Sequence, residues 1–75
     1  MRQIKEEEYM KFTMVQARAM AGLTQAEVAK RMGITAPALH YYEKGKVKIS
    51  DEKFDEFCRI VGMKTGQVLI PETIN

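Results

Sequence analysis

The sequence predicts an all-α fold, a compact bundle of about five short helices. Three observations carry it. Apolar residues recur at helical spacings of three and four. Strand-type alternation is absent over most of the length, and there are only two prolines. Each apolar stretch is also opened by a capping residue and closed by a residue that stops a helix. With 75 residues the chain suffices for one small domain. A domain near this size buries only about 60% of its unfolded surface, which leaves little interior for an enclosed catalytic cavity. The hydrophobic content of 45% is ordinary for a globular protein and argues against disorder.

Residues 1–12 form an N-terminal extension in which Ile4, Tyr9, Met10 and Phe12 fit either a helix or an extended arm. The domain proper is expected over 13–75. Thr13 caps a first helix to about Met20, with Met14, Val15, Ala17, Ala19 and Met20 as its apolar surface and Gly22 as its end. Thr24-Gln25-Ala26-Glu27 has the form of a capping box, in which hydroxyl and carboxylate each take the other residue's amide hydrogen. A second helix runs to Met32, with Val28, Ala29 and Met32 on one face. Gly33 sits where a sharp turn needs positive φ. Thr35 caps a third helix, and Pro37 falls in its first turn, where a missing amide hydrogen costs little. Leu39 and Tyr42 face inward, and the helix ends near Lys44-Gly45. Ser50 caps a fourth helix, with Asp51 and Glu52 at its positive end and a stripe of Phe54, Phe57, Cys58 and Val61. Gly62 closes it. Thr65 is expected to cap a last short helix holding Val68, Leu69 and Ile70, stopped by Pro71.

The net charge of +2 says little by itself. Between Thr24 and Ser50, however, Lys30, Arg31, Lys44, Lys46 and Lys48 outweigh Glu27 and Glu43, so the excess lies in one segment. A single cysteine excludes an internal disulfide and a multi-cysteine metal site and fits a reducing compartment. The N-terminal charges leave no apolar core for a signal peptide, and no apolar run reaches the roughly 18 residues of a membrane span, so a cytoplasmic location is expected.

The pair of helices at about 25–32 and 36–44 is the informative feature. A helix-turn-helix needs a small residue at the helix crossing, a turn glycine and buried apolar residues on both sides. Ala29 is the small residue, Gly33 the turn, and Val28, Met32, Ile34, Leu39 and Tyr42 the buried set. Such a unit, here about 24–44, holds its second helix out where it can enter a major groove.

The segment from Thr24 to Thr35, followed by Leu39 and by Tyr42-Glu43-Lys44-Gly45-Lys46, resembles the phage repressor and Cro-like (XRE-type) helix-turn-helix family. The resemblance spans about Thr13 to Ile70. It implies a DNA-binding domain in which Gln25 grips a phosphate and Arg18 and Glu43 form an ion pair bridging the first helix to the end of the third. Helical spacing puts Ala36, Pro37, His40, Tyr41 and Lys44 in one outward stripe, and with Thr24, Thr35, Ala38, Lys46 and Lys48 these are the residues expected on the DNA side. Here the chain departs from the family's usual pattern, in which glutamine, asparagine, serine or arginine often opens the recognition helix. Ala36 and Pro37 cannot read guanine or adenine bidentately. Ala36 and Ala38 can instead touch thymine methyls, Tyr41 and His40 can hydrogen-bond bases or phosphates, and DNA shape carries more of the specificity.

The expected function is therefore a sequence-specific transcriptional regulator of double-stranded DNA, a repressor acting as a homodimer. Met63, Val68, Leu69 and Ile70, with Ile74, are candidates for the dimer surface; closing the monomer core is the competing role for these residues. A protein-interaction module, such as an antitoxin or adaptor, is the alternative. No enzyme, cofactor, metal or small-molecule substrate is expected. His40 lacks companion ligands in sequence, Cys58 lies on an apolar stripe, and neither has an evident orienting group.

Overall fold

The computed structural model describes residues 11–73. It contains four α-helices among those residues: α1 Met14–Met20, α2 Gln25–Met32, α3 Ala36–Glu43 and α4 Asp51–Val61, followed by a single 3₁₀ turn, Thr65–Gln67. None is long and apolar enough to cross a membrane. The ambiguous stretch around Ile4, Tyr9 and Met10, and Ile74, lie outside the described residues.

Each helix begins on a hydroxyl. Thr13 accepts the Gln16 amide hydrogen at 3.1 Å, and Gln16 Oε1 accepts that of Thr13 at 2.9 Å. Thr24 and Glu27 make the same reciprocal pair at 3.1 and 2.9 Å. Thr35 and Ser50 cap α3 and α4 by single bonds of 3.2 Å. Each such cap contributes about 1 kcal/mol. At the other end of α2, Gly33 adopts φ 70°, and the next amide, that of Ile34, turns back to the Ala29 carbonyl at 3.0 Å. Lys53 of α4 reaches the Met32 carbonyl at 3.4 Å, placing a cation at the negative end of α2.

Helix α2 packs on both α3 and α4, and the core gathers between them around Val28, Ala29, Leu39, Phe57 and Cys58, all essentially inaccessible. Ile34 and Tyr42 are half-buried against it, and Ile49 is buried in the α3–α4 connection. Helix α1 departs from expectation. Only Met14 and Ala17 are buried, while Val15 and Met20 are exposed. Val15 has rotated about 100° off the face that Met14 and Ala17 share, and Met20, three on from Ala17, is the last residue of the helix, just before the chain turns at Ala21 and Gly22.

The expected fifth helix is replaced by the 3₁₀ turn and extended chain. Thr65 is not its cap; Lys64 stands in that place, its amide donating to Gln67 Oε1 at 3.0 Å. Val68 forms a parallel bridge with Phe12, whose amide donates to Gln67 O at 2.9 Å and whose carbonyl accepts from Leu69 at 2.8 Å. Phe12 is thus extended. These non-local bonds satisfy backbone groups that a helix would have paired internally. In the same arrangement Val68 is buried in the core and Met63 is half-buried against it, the competing role for these two candidates. Leu69 and Ile70 remain exposed. Just beyond, the chain presses on Gly45, which has φ 73°; a Cβ there would overlap the Glu72 carbonyl oxygen.

Candidate nucleic-acid interface

The crossing of α2 and α3 requires close approach of two backbones, and Ala29, 1% exposed, provides it. The short turn at Gly33 then sets α3 with Leu39 inward and its opposite face outward. Pro37 and Tyr41 are exposed there, and Ala36, Ala38 and His40 are half-buried. Lys44, Lys46 and Lys48 continue along the exit from the helix, all exposed. Tyr41 lies between two of these groups. Its ring is tilted 56° to that of His40 at 6.1 Å, and Lys46 Nζ stands 5.8 Å from its centroid. Gln25, Ala36, Pro37, His40 and Tyr41 line an open depression of about 320 Å³ where the start of α2 meets the start of α3.

Beneath this face lies a polar network. The Glu43 side chain is fully buried, and Arg18, itself 15% exposed, donates to it from Nε at 2.8 Å and from a second guanidinium nitrogen at 3.3 Å. The third nitrogen donates to the Leu23 carbonyl at 3.2 Å, so one side chain ties α1, the α1–α2 turn and the end of α3 together. Gln25 Nε2 donates to the same carboxylate at 2.8 Å. No buried polar side-chain atom among the described residues lacks a partner. Because Arg18 compensates Glu43 internally, that carboxylate does little to offset the lysines beside it.

The structure therefore brings Arg18, Gln25, His40 and Glu43 together, with the Gln25 amide turned inward to the Glu43 carboxylate. Its amide nitrogen donates to Glu43 Oε1 at 2.8 Å and lies 3.3 Å from His40 Nδ1. Nothing in the local spacing signals the Gln25–His40 contact, which exists only because α2 and α3 cross. Thr24 and Thr35 are exposed; each hydroxyl accepts its cap bond and keeps a proton to donate. Lys48 lies furthest along the chain from α3. Met63, Val68, Leu69 and Ile70 are not part of this face.

Among the described residues, two groups carry shifted acidities. The backbone and side chain of Thr24, with a smaller contribution from Arg31, hold the Glu27 carboxyl below its ordinary value of 4.5. Burial, with Asp55 adding to it, pushes the Cys58 thiol up to about 11. A thiol so placed is a core residue, with little thiolate to act as a nucleophile.

Comparison with known families finds a match to the helix-turn-helix domain over residues 2–69. Comparison with curated proteins and with solved structures yields no significant match. With most of its length matched, and with the alanine crossing, glycine turn and outward α3 in place, the chain belongs to the helix-turn-helix domain family, consistent with its phage repressor and Cro-like resemblance.

Proposed function

We propose that this domain is a sequence-specific, double-stranded-DNA-binding transcriptional regulator that inserts α3 into the major groove. The observation that carries this reading is the division of α3 into two faces. Its inner face is fixed by Leu39 and the buried Glu43 network, and its outer edge runs from Ala36 through His40 and Tyr41 to Lys44 and Lys46. A rigidly held helix with a positive exit suits groove insertion, where phosphate contacts position the protein and base contacts specify the site. Ala36 and Ala38 meet thymine methyls, Tyr41 and His40 meet polar edges, and the lysines meet the flanking phosphates. At the start of α2, the Thr24 hydroxyl takes over the phosphate contact from the inward-turned Gln25. A homodimer, joined through a surface that includes the exposed Leu69 and Ile70, places two such helices about 34 Å apart on a palindromic site. Occupancy of a promoter then represses by blocking polymerase.

The test is selection from a random duplex library at two salt concentrations. A short palindromic site is expected. Replacing Lys44 and Lys46 together by alanine should flatten the dependence of log affinity on log salt by about 1.8 for each bound domain. An unchanged slope would remove these lysines from the interface.

One observation favours a second reading. The depression at the start of α3 is lined largely by Ala36, Pro37 and the Tyr41 ring, which suits an apolar peptide side chain. A protein-interaction module predicts no salt-dependent DNA binding at all, and the same selection separates the two.

A further inference from the structure

We propose that His40 reads a base edge as a fixed hydrogen-bond donor, with its tautomer set by a relay from Arg18 through Glu43 and Gln25. This rests on the DNA-binding reading above and assigns a specificity-determining residue within it.

The chain of constraint starts at the buried carboxylate. Glu43 only accepts, and Arg18 holds it in place from two nitrogens. The Gln25 amide must therefore turn its nitrogen toward Glu43 Oε1, 2.8 Å away, because the opposite orientation would set two acceptor oxygens against each other. That nitrogen carries two hydrogens and no available lone pair. Its second neighbour, His40 Nδ1 at 3.3 Å, can bond to it only as an acceptor. The ring proton is then on Nε2. A histidine free in water exchanges between tautomers, whereas this one faces a donor that a carboxylate and a guanidinium keep in place.

Among the described residues Nε2 has no hydrogen-bond partner. The ring lines the open depression beside Ala36 and Pro37, whose small side chains leave room for a base edge. An N–H there matches an acceptor. Guanine presents two in succession in the major groove, N7 and O6, while cytosine presents an amino donor at the corresponding edge. His40 thus selects guanine over cytosine at one position of each half-site, a readout that Ala36 and Pro37 cannot supply.

His40 is the only histidine of the 75 residues, so its ring nitrogens can be followed without assignment ambiguity in the labelled chain. The experiment joins two measurements at about pH 8, above the ordinary histidine range. The first is long-range nitrogen–proton NMR of the imidazole in the free protein, for the wild type and Q25M. The second is binding of wild type, Q25M and H40A to duplexes varied at each position of the selected site. The wild type should hold the Nε2–H tautomer almost exclusively, and Q25M should relax to a mixture. Wild type should prefer guanine to cytosine about tenfold at one position, H40A should lose that preference, and Q25M should weaken it. A ring protonated at Nδ1, or a tautomer mixture that Q25M leaves unchanged, overturns the relay. If H40A weakens all duplexes equally, the donor is directed at a phosphate and base readout is overturned. If the wild type binds no duplex even at low salt, the regulator reading fails and base readout with it, while a locked tautomer in the free protein still establishes the relay.

Discussion

The helix-turn-helix and the segment that closes the bundle are built on different principles. Between Thr24 and Lys44 the determinants are local or lie on two crossing helices: a capping box, a positive-φ glycine, a proline in a first turn, and apolar residues three and four apart. The closure joins Phe12 to Val68 and lays Glu72 over Gly45, contacts between parts of the chain remote in sequence. The first region presents an outer face because its inner one is fully satisfied. The second seals the core with Val68 and leaves the large apolar side chains of Leu69 and Ile70 exposed. The outer face of α3 needs support that leaves that face free, and Glu43 provides it from within.

The comparison breaks most severely at Glu43. Replacement by alanine leaves the Arg18 guanidinium and the Gln25 amide without their shared acceptor, and the expected loss is about 3–5 kcal/mol. Urea denaturation of the two proteins measures it. Glu43→Gln keeps an acceptor and should lose less. A loss below about 1 kcal/mol for the alanine variant would mean that the caps and apolar packing hold α3 without the buried pair.

The two glycines that bracket α3 sharpen the contrast. Gly33 and Gly45 have nearly the same φ, 70° and 73°, so alanine at either carries a left-handed penalty of about 1–2 kcal/mol. At Gly33 the position of a Cβ is open, whereas at Gly45 it is occupied by the Glu72 carbonyl. Gly33→Ala should therefore lose about 1 kcal/mol, and Gly45→Ala about 2–4 kcal/mol, because displacing the closing segment adds to the backbone strain. Equal losses in thermal unfolding would show that the C-terminal chain yields without resistance.

This difference also explains what could be read from the sequence. Thr24, Glu27, Gly33 and Thr35 have meanings fixed by their near neighbours, so the helix boundaries around the turn follow from them. Val68 does not. Its stretch Val68-Leu69-Ile70, preceded by Thr65, is compatible with a short helix, and only the Phe12 backbone decides for extended chain. Gly45 was legible as a helix stop but not as a close contact with Glu72. The same limit applies within the candidate site. The outward residues of α3 follow from helical periodicity, and the Arg18–Glu43 pair follows from family resemblance. The inward turn of Gln25 depends on where two helices cross, and no local spacing encodes that.

The smallest expected effect concerns two capping boxes of the same geometry. Thr13 pairs with the neutral Gln16 next to the Phe12–Val68 bridge, and Thr24 pairs with the carboxylate of Glu27 at the entry to the helix-turn-helix. Only the second responds to acid. Because the folded state holds the Glu27 carboxyl below its ordinary 4.5, its contribution is present at neutral pH and is lost as pH falls through that lowered value. The Thr24 amide resonance should shift with acid as its acceptor is protonated, while that of Thr13 should not respond to its own partner. Replacing Glu27 by glutamine should make the two boxes behave alike, and the stability advantage of the wild type over this variant should shrink on acidification. If the Thr24 amide is indifferent to pH in the wild type, the carboxylate is not its partner in solution, and the helix-turn-helix enters on its threonine alone.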